Sequence, residues 1–202
     1  MLDARIRTLI DPPLDKIGSV LAENQIKPND ITIIGFIIGM VAVPLIALQY
    51  YKLALVAVLV NRLFDGIDGA VARHSSQTHA GGYLDIVLDF IFYSAVVFGF
   101  ALVDPKQAVY SAFLIFSFVG TGTTFLAFAI FAQKLDINSD HQGKKSFYYL
   151  AGLAEGFETI VALVLMCLLP QYFWIIALVF GTICWISTVA RIFIGVSVLR
   201  GY

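Results

Sequence analysis

Charge is scarce in this chain. Only 13% of its 202 residues are Asp, Glu, Lys or Arg, against about 25% in a typical soluble domain. Cysteine is nearly missing as well. Cys167 and Cys184 sit inside apolar runs without metal-type spacing, which argues against a thiolate metal site and marks both as small core residues. No basic run suggests nucleic acid, and the net charge of -1 favours no partner. Met1 to Asp30 has no uninterrupted apolar core, so the N-terminus does not read as a signal peptide. No internal repeat, low-complexity stretch or linker divides the chain, and a single domain is expected over residues 1–202.

What remains is apolar. Hydrophobic residues make up 59% of the sequence, and the mean hydropathy is +0.87. These values point to an all-α integral membrane protein. At roughly 20 residues per span plus short loops, its length suits six transmembrane helices. They are expected near 31–50, 53–73, 83–103, 110–133, 147–169 and 173–199. Residues 1–30 mix charge with apolar positions at helical spacing: Leu2, Ile6, Leu9 and Ile10, then Leu14, Ile17, Val20 and Leu21. Pro12 and Pro13 lie between the two sets, so a broken amphipathic helix in the membrane interface is expected. With six spans, Arg5, Arg7, Lys16, Lys27, Arg73, Lys134, Lys144, Lys145 and Arg200 fall on one side, and only Lys52 and Lys106 on the other. The first side is therefore expected to be cytoplasmic, with both termini on it.

The few acidic residues are concentrated. The stretch DGIDGAVARHSSQTHAGGYLDIVLD, from Asp65 to Asp89, places four carboxylates in apolar surroundings. On a helix, Asp65 and Asp68 share a face, and so do Asp85 and Asp89. Two antiparallel helices joined by a short loop are neighbours, so the two pairs should converge just below the cytoplasmic surface. Four anions so placed repel one another unless cations neutralise them. Arg73 alone does not balance four aspartates, and hard divalent cations suit carboxylate oxygens.

In pattern form the stretch is D-x2-D-G-x2-A-R-x7-G-x3-D-x3-D, filled by Asp65, Asp68, Gly69, Ala72, Arg73, Gly81, Asp85 and Asp89. It closely resembles the signature of the CDP-alcohol phosphatidyltransferase family. The resemblance implies transfer of a phosphatidyl group from CDP-diacylglycerol to a small polar alcohol, with release of CMP. Some family members instead transfer a head group from a CDP-alcohol to a lipid acceptor. The resemblance also implies Mg2+ or Mn2+, as two ions, with Asp65, Asp68 and Asp85 as ligands. Asp89 lies near the metals, counts with the ligands, and takes the proton from the attacking hydroxyl. Gly69 and Ala72 leave room for the nucleotide, Arg73 binds a phosphate oxygen, and Gly81 permits the turn into the third span. Pro28-Asn29 followed by Thr32 is also common before the first span of the family. Asn29 and Thr32 are thus candidates for nucleotide contact as well as for helix capping. The family further implies a homodimer, for which Gly35-x3-Gly39 is one candidate close-contact surface, and a bacterial inner-membrane location.

The acceptor is less legible. Glycerol 3-phosphate leads, with Lys145 and Arg191 as candidate partners for its phosphate. Inositol phosphate, serine and a CDP-alcohol donor are the alternatives within the family. Arg62, Glu155, Glu158 and Arg191 lie at membrane depth, where charges either line a cavity or pair as scaffold. Two more distant classes compete. A UbiA-type prenyltransferase also binds a diphosphate through aspartates and magnesium, but is longer, with its aspartate motifs far apart. A divalent-cation transporter leaves the G-x2-A-R part of the pattern without a role.

Overall fold

The computed structural model describes residues 2–75, 77–135 and 156–201. Among these residues there is no strand, as expected for an all-α membrane protein. In chain order the helices are α1 (Leu2–Glu23), α2 (Pro28–Met40), α3 (Ala42–Ala47), α4 (Tyr51–His74), α5 (His79–Ala101), α6 (Pro105–Lys134), α7 (Gly156–Leu168) and α8 (Phe173–Leu199). A helix satisfies its backbone polar groups internally, which an apolar segment in lipid requires.

Helices α2 and α3 together (Pro28–Ala47), α5, α6 and the segment Pro170–Leu199 are long and apolar enough to cross a membrane. Among the described residues these are four such segments, so the expected count of six is not confirmed. Helix α4 has the length but carries Lys52, Arg62, Asp65, Asp68 and Arg73. Helix α7 has 13 residues in its described part. The polar stretch with His141, Lys144, Lys145 and Glu155 lies outside the described residues.

Local chemistry explains most boundaries. Proline opens α2 and α6 at Pro28 and Pro105, where a missing N–H costs nothing. Asp104 accepts from the Lys106 N–H at 2.9 Å, and Thr78 from the Gly81 N–H at 3.0 Å, each as an N-cap. Helix α2 breaks from α3 at Met40–Ala42 because the Pro44 ring has no donor for the Met40 carbonyl and crowds it. The same argument predicted a break in α1, yet α1 runs through Pro12 and Pro13 as one helix. Helix α1 packs against α4 through Leu14, Asp15 and Gly18, just beyond the two prolines.

Two helix ends share one device. Gln25 (φ 59°) closes α1 and Gln49 (φ 63°) closes α3, both left-handed. The pairs Ile26 N–H to Leu21 O and Gln25 N–H to Ala22 O cap the first end. Tyr50 N–H to Leu45 O and Gln49 N–H to Ile46 O cap the second. Glycine usually holds this position.

Helix α4 packs against α1, α2, α3 and α7. Its first half joins the apolar core through Ala54, Ala57 and Val58, in one cluster with Phe92, Val96, Val97 and Phe100 of α5. Phe100 stacks on Phe173 with ring centres 4.4 Å apart. The second half of α4 and the first half of α5, which hold the aspartates, form the opposite end of the bundle. Gly35 and Gly39 are buried within the chain. A Cβ at Gly35 would stand 2.5 Å from Phe64 Cβ, and one at Gly39 2.9 Å from Asn61 Cβ. Their small size therefore serves the packing of α2 on α4, which removes them as a candidate dimer surface.

Candidate metal centre and its surroundings

Asp65 and Asp68 lie on α4 and Asp85 on α5, and one carboxylate oxygen of each lies within 4.8 Å of the other two. The convergence comes about because α4 and α5, linked by the short 75–78 connection, both pack against α2 and α3, and their aspartates face each other. Asp68 is buried (6% exposed), and its Oδ2 has no hydrogen-bond partner. An orphaned buried carboxylate oxygen costs on the order of 1–3 kcal/mol, and a divalent cation bound by oxygen ligands removes that cost. The donor set therefore fits a hard divalent metal.

Asp89 lies beside this group of three and has hydrogen-bond partners of its own. Its Oδ1 accepts from Arg62 Nη2 at 2.6 Å, and its Oδ2 from the Tyr93 hydroxyl at 2.9 Å. Arg62 also donates from Nη1 to the Tyr93 hydroxyl at 2.8 Å and from Nε to Asn61 Oδ1 at 2.8 Å. Its guanidinium lies 5.0 and 5.1 Å from the Phe92 and Tyr93 ring centres. Asn61 Nδ2 in turn donates to the Gly35 carbonyl of α2 at 3.0 Å. Arg62 Nη1 is 3.6 Å from Asp65 Oδ2, so the nearer carboxylate is that of Asp89.

The other expected site residues are distributed around the aspartates. Thr32 donates to the Pro28 carbonyl at 3.1 Å and stands beside the Asp68 carboxylate. A Cβ on Gly81 would lie 2.8 Å from Asn29 Oδ1, so the starts of α2 and α5 meet there. Gly69 is open except for Arg73 Nη1, 3.7 Å from where its Cβ would be. Ala72, half-buried, follows on the last turns of α4. Arg73 does not face the aspartates: its Nε and Nη2 donate to Asp15 Oδ1 of α1 at 3.1 and 2.7 Å. On the same flank Leu14 of α1 fills the space over Gly66, where a Cβ would come within 2.8 Å of it. Arg191, buried on α8, donates to the Thr121 carbonyl of α6 at 3.2 Å and lies 5.8 Å from the Phe125 ring centre. Lys145 lies outside the described residues.

Sequence reasoning left Arg62 undecided and overlooked Asn61, Tyr93 and Asp15. Tyr93 had a usable signal, since it follows Asp89 by four residues on one helix face. Asp15 had none, being 58 residues from its partner.

Comparison with known proteins agrees with this geometry. The family model of the CDP-alcohol phosphatidyltransferases matches residues 25–198. The chain is 48% identical to the inner membrane protein YnjF of Escherichia coli K12 over 201 residues, covering 99% of this chain and 98% of that protein. It is 38% identical to an archaetidylinositol phosphate synthase of Pyrococcus horikoshii over 100 residues, which is 49% of this chain and about half (53%) of that one. The fold is shared with the crystal structure of the Mycobacterium tuberculosis phosphatidylinositol phosphate synthase PgsA1 with CDP-DAG bound. That likeness has a TM-score of 0.57 at 20% identity and covers 93% of this chain and 92% of that one. On the breadth of the family match and the aspartate pattern that lies inside it, this chain is a membrane enzyme belonging to the CDP-alcohol phosphatidyltransferase family.

Proposed function

We propose that the protein transfers a phosphatidyl group from CDP-diacylglycerol to a small phosphorylated alcohol and releases CMP. The observation that carries this reading is the trio Asp65, Asp68 and Asp85, together with a buried Asp68 oxygen that has no hydrogen-bond partner. CDP-diacylglycerol as donor is supported by the presence of CDP-DAG in the mycobacterial structure that shares the fold.

In this proposal Asp65, Asp68 and Asp85 hold Mg2+ or Mn2+, as two ions. When bound, such ions would supply positive charge that binds the diphosphate and stabilises the charge on the departing CMP. Asp89 takes the proton of the acceptor hydroxyl. The acceptor oxygen then forms a bond to the phosphorus that carries the diacylglycerol. The bond from that phosphorus to the bridging oxygen breaks, and CMP leaves with the electron pair. Gly69 and Ala72 leave room for the nucleotide beside α4. Asn29, Thr32 and Gly81 line its other side, and Arg73 contacts a phosphate oxygen.

The acceptor proposed from the sequence is glycerol 3-phosphate, with Lys145 and Arg191 toward its phosphate. A second reading, inositol phosphate, is favoured by the archaetidylinositol phosphate synthase among the relatives. Both carry a phosphate monoester, so the same cations serve either. We place the aspartate end and both termini on the cytoplasmic side by the distribution of lysine and arginine, in a single domain over residues 1–202. A homodimer is proposed by family resemblance.

The experiment is to supply the purified protein with CDP-diacylglycerol, Mg2+ and a panel of alcohols, and to identify the lipid product by mass spectrometry. A product from glycerol 3-phosphate or inositol phosphate decides between the two readings. Turnover of only non-phosphorylated alcohols contradicts both. Undiminished turnover in excess chelator contradicts the metal assignment.

A further inference from the structure

The Arg62 side chain is 10% exposed and lies one helical turn before Asp65. Its Nη2 donates to Asp89 Oδ1, its Nη1 to the Tyr93 hydroxyl, and that hydroxyl passes a hydrogen bond on to Asp89 Oδ2. The three groups close a ring, and the ring engages both oxygens of one carboxylate. The guanidinium is itself fixed on three sides. Phe92 and Tyr93 flank it, and Asn61 Oδ1 holds its Nε while the Asn61 amide is anchored to the Gly35 carbonyl. The ring thus ties α2, α4 and α5 together around the orientation of Asp89. Balancing charge alone would require only proximity. Three directed bonds and a stacked guanidinium specify an angle.

We propose that Arg62, acting with Tyr93, is the positioning residue for Asp89: it fixes the orientation in which the carboxylate meets the acceptor hydroxyl. This rests on the reading of Asp89 as the proton acceptor and adds what orients it. Misplacement of a catalytic group by about 1 Å costs on the order of a hundredfold in rate, so loosening the ring should appear in kcat.

The test compares Arg62→Gln, Arg62→Lys, Tyr93→Phe, Asp89→Asn and the double variant Arg62→Gln/Asp89→Asn. For each, kcat and both KM values are measured in detergent, with Mn2+ affinity by electron paramagnetic resonance and the melting temperature. Arg62→Gln should lose about tenfold to a hundredfold in kcat, with the donor KM and Mn2+ affinity unchanged. Arg62→Lys should recover part of the loss, and Tyr93→Phe should lose less than Arg62→Gln. The double variant should be no slower than Asp89→Asn, because Arg62 acts only through Asp89. Additive losses in the double variant overturn the proposal, as does an Arg62→Gln protein that melts early yet keeps its kcat. Mn2+ affinity falling as far in Arg62→Gln as in Asp68→Asn would mean that Arg62 supports the metal site instead, and also overturns it. If Arg62→Gln does not fold, Tyr93→Phe made alone and in the Asp89→Asn background gives the same comparison. An Asp89→Asn enzyme with normal kcat removes the proton-acceptor reading itself, an outcome separate from failure of the positioning role.

Discussion

Arg73, the arginine of the aspartate motif, is bound to Asp15 of the N-terminal helix by two hydrogen bonds to one carboxylate oxygen, at 2.7 and 3.1 Å. Both side chains are about two-fifths exposed (41% and 42%), and such pairs contribute only about 0–1 kcal/mol. The pair is thus weak enough to exchange for a phosphate.

If Arg73 meets a phosphate oxygen of the donor, Arg73→Gln should raise the donor KM by about tenfold to a hundredfold, the size of a charge-assisted hydrogen bond. Asp15→Asn should leave the melting temperature nearly unchanged and should not raise the donor KM. Steady-state kinetics with varied CDP-diacylglycerol check both. An Asp15→Asn enzyme with a KM as poor as that of Arg73→Gln would mean that the ion pair itself is the functional unit.

Asp68 should show opposite effects on stability and function. In chelator its buried Oδ2 lacks a partner, so Asp68→Asn should melt higher than the parent, by an amount corresponding to about 1 kcal/mol or more. Added Mg2+ should stabilise the parent by about 2.7 kcal/mol at a hundred times its Kd, and should leave the variant unmoved. Thermal unfolding with and without Mg2+ reads both effects, and lower stability of the variant in chelator would contradict the account.

Two glycines should respond in opposite senses. Gly35 faces Phe64, whose Cβ would be 2.5 Å from an added methyl. Gly35→Ala should therefore cost about 1–3 kcal/mol by overpacking, and should lower activity because Phe64 precedes Asp65. Gly82, in α5, has nothing within 4 Å of the corresponding point. Gly82→Ala should be neutral or stabilising by up to about 1 kcal/mol through helix propensity. Melting temperatures in detergent distinguish the two.

The left-handed Gln49 at the end of α3 gives a prediction unconnected with the site. A side chain in this conformation costs on the order of 1 kcal/mol that glycine avoids. Gln49→Gly should raise the melting temperature while leaving kcat and both KM values unchanged.

Residue order alone was enough for the helical class and for the pairing of Asp65 with Asp68 on one helix face and Asp85 with Asp89 on another. Those properties follow from composition and from the helical period, which act over a few residues. The proximity of Asp85 to Asp65 and Asp68 was expected from the short loop, and the shared packing of α4 and α5 on α2 and α3 brings it about. Beyond that range the chain pattern was silent. Only packing decided that three aspartates converge while Asp89 beside them is bound by Arg62 and Tyr93, and that Arg73 turns to Asp15. Packing also decided that Gly35 and Gly39 close the α2–α4 contact instead of facing a second subunit. A carboxylate's partner is set by which side chains three-dimensional packing brings within about 3 Å, and helical periodicity specifies the face a residue occupies without specifying what that face meets.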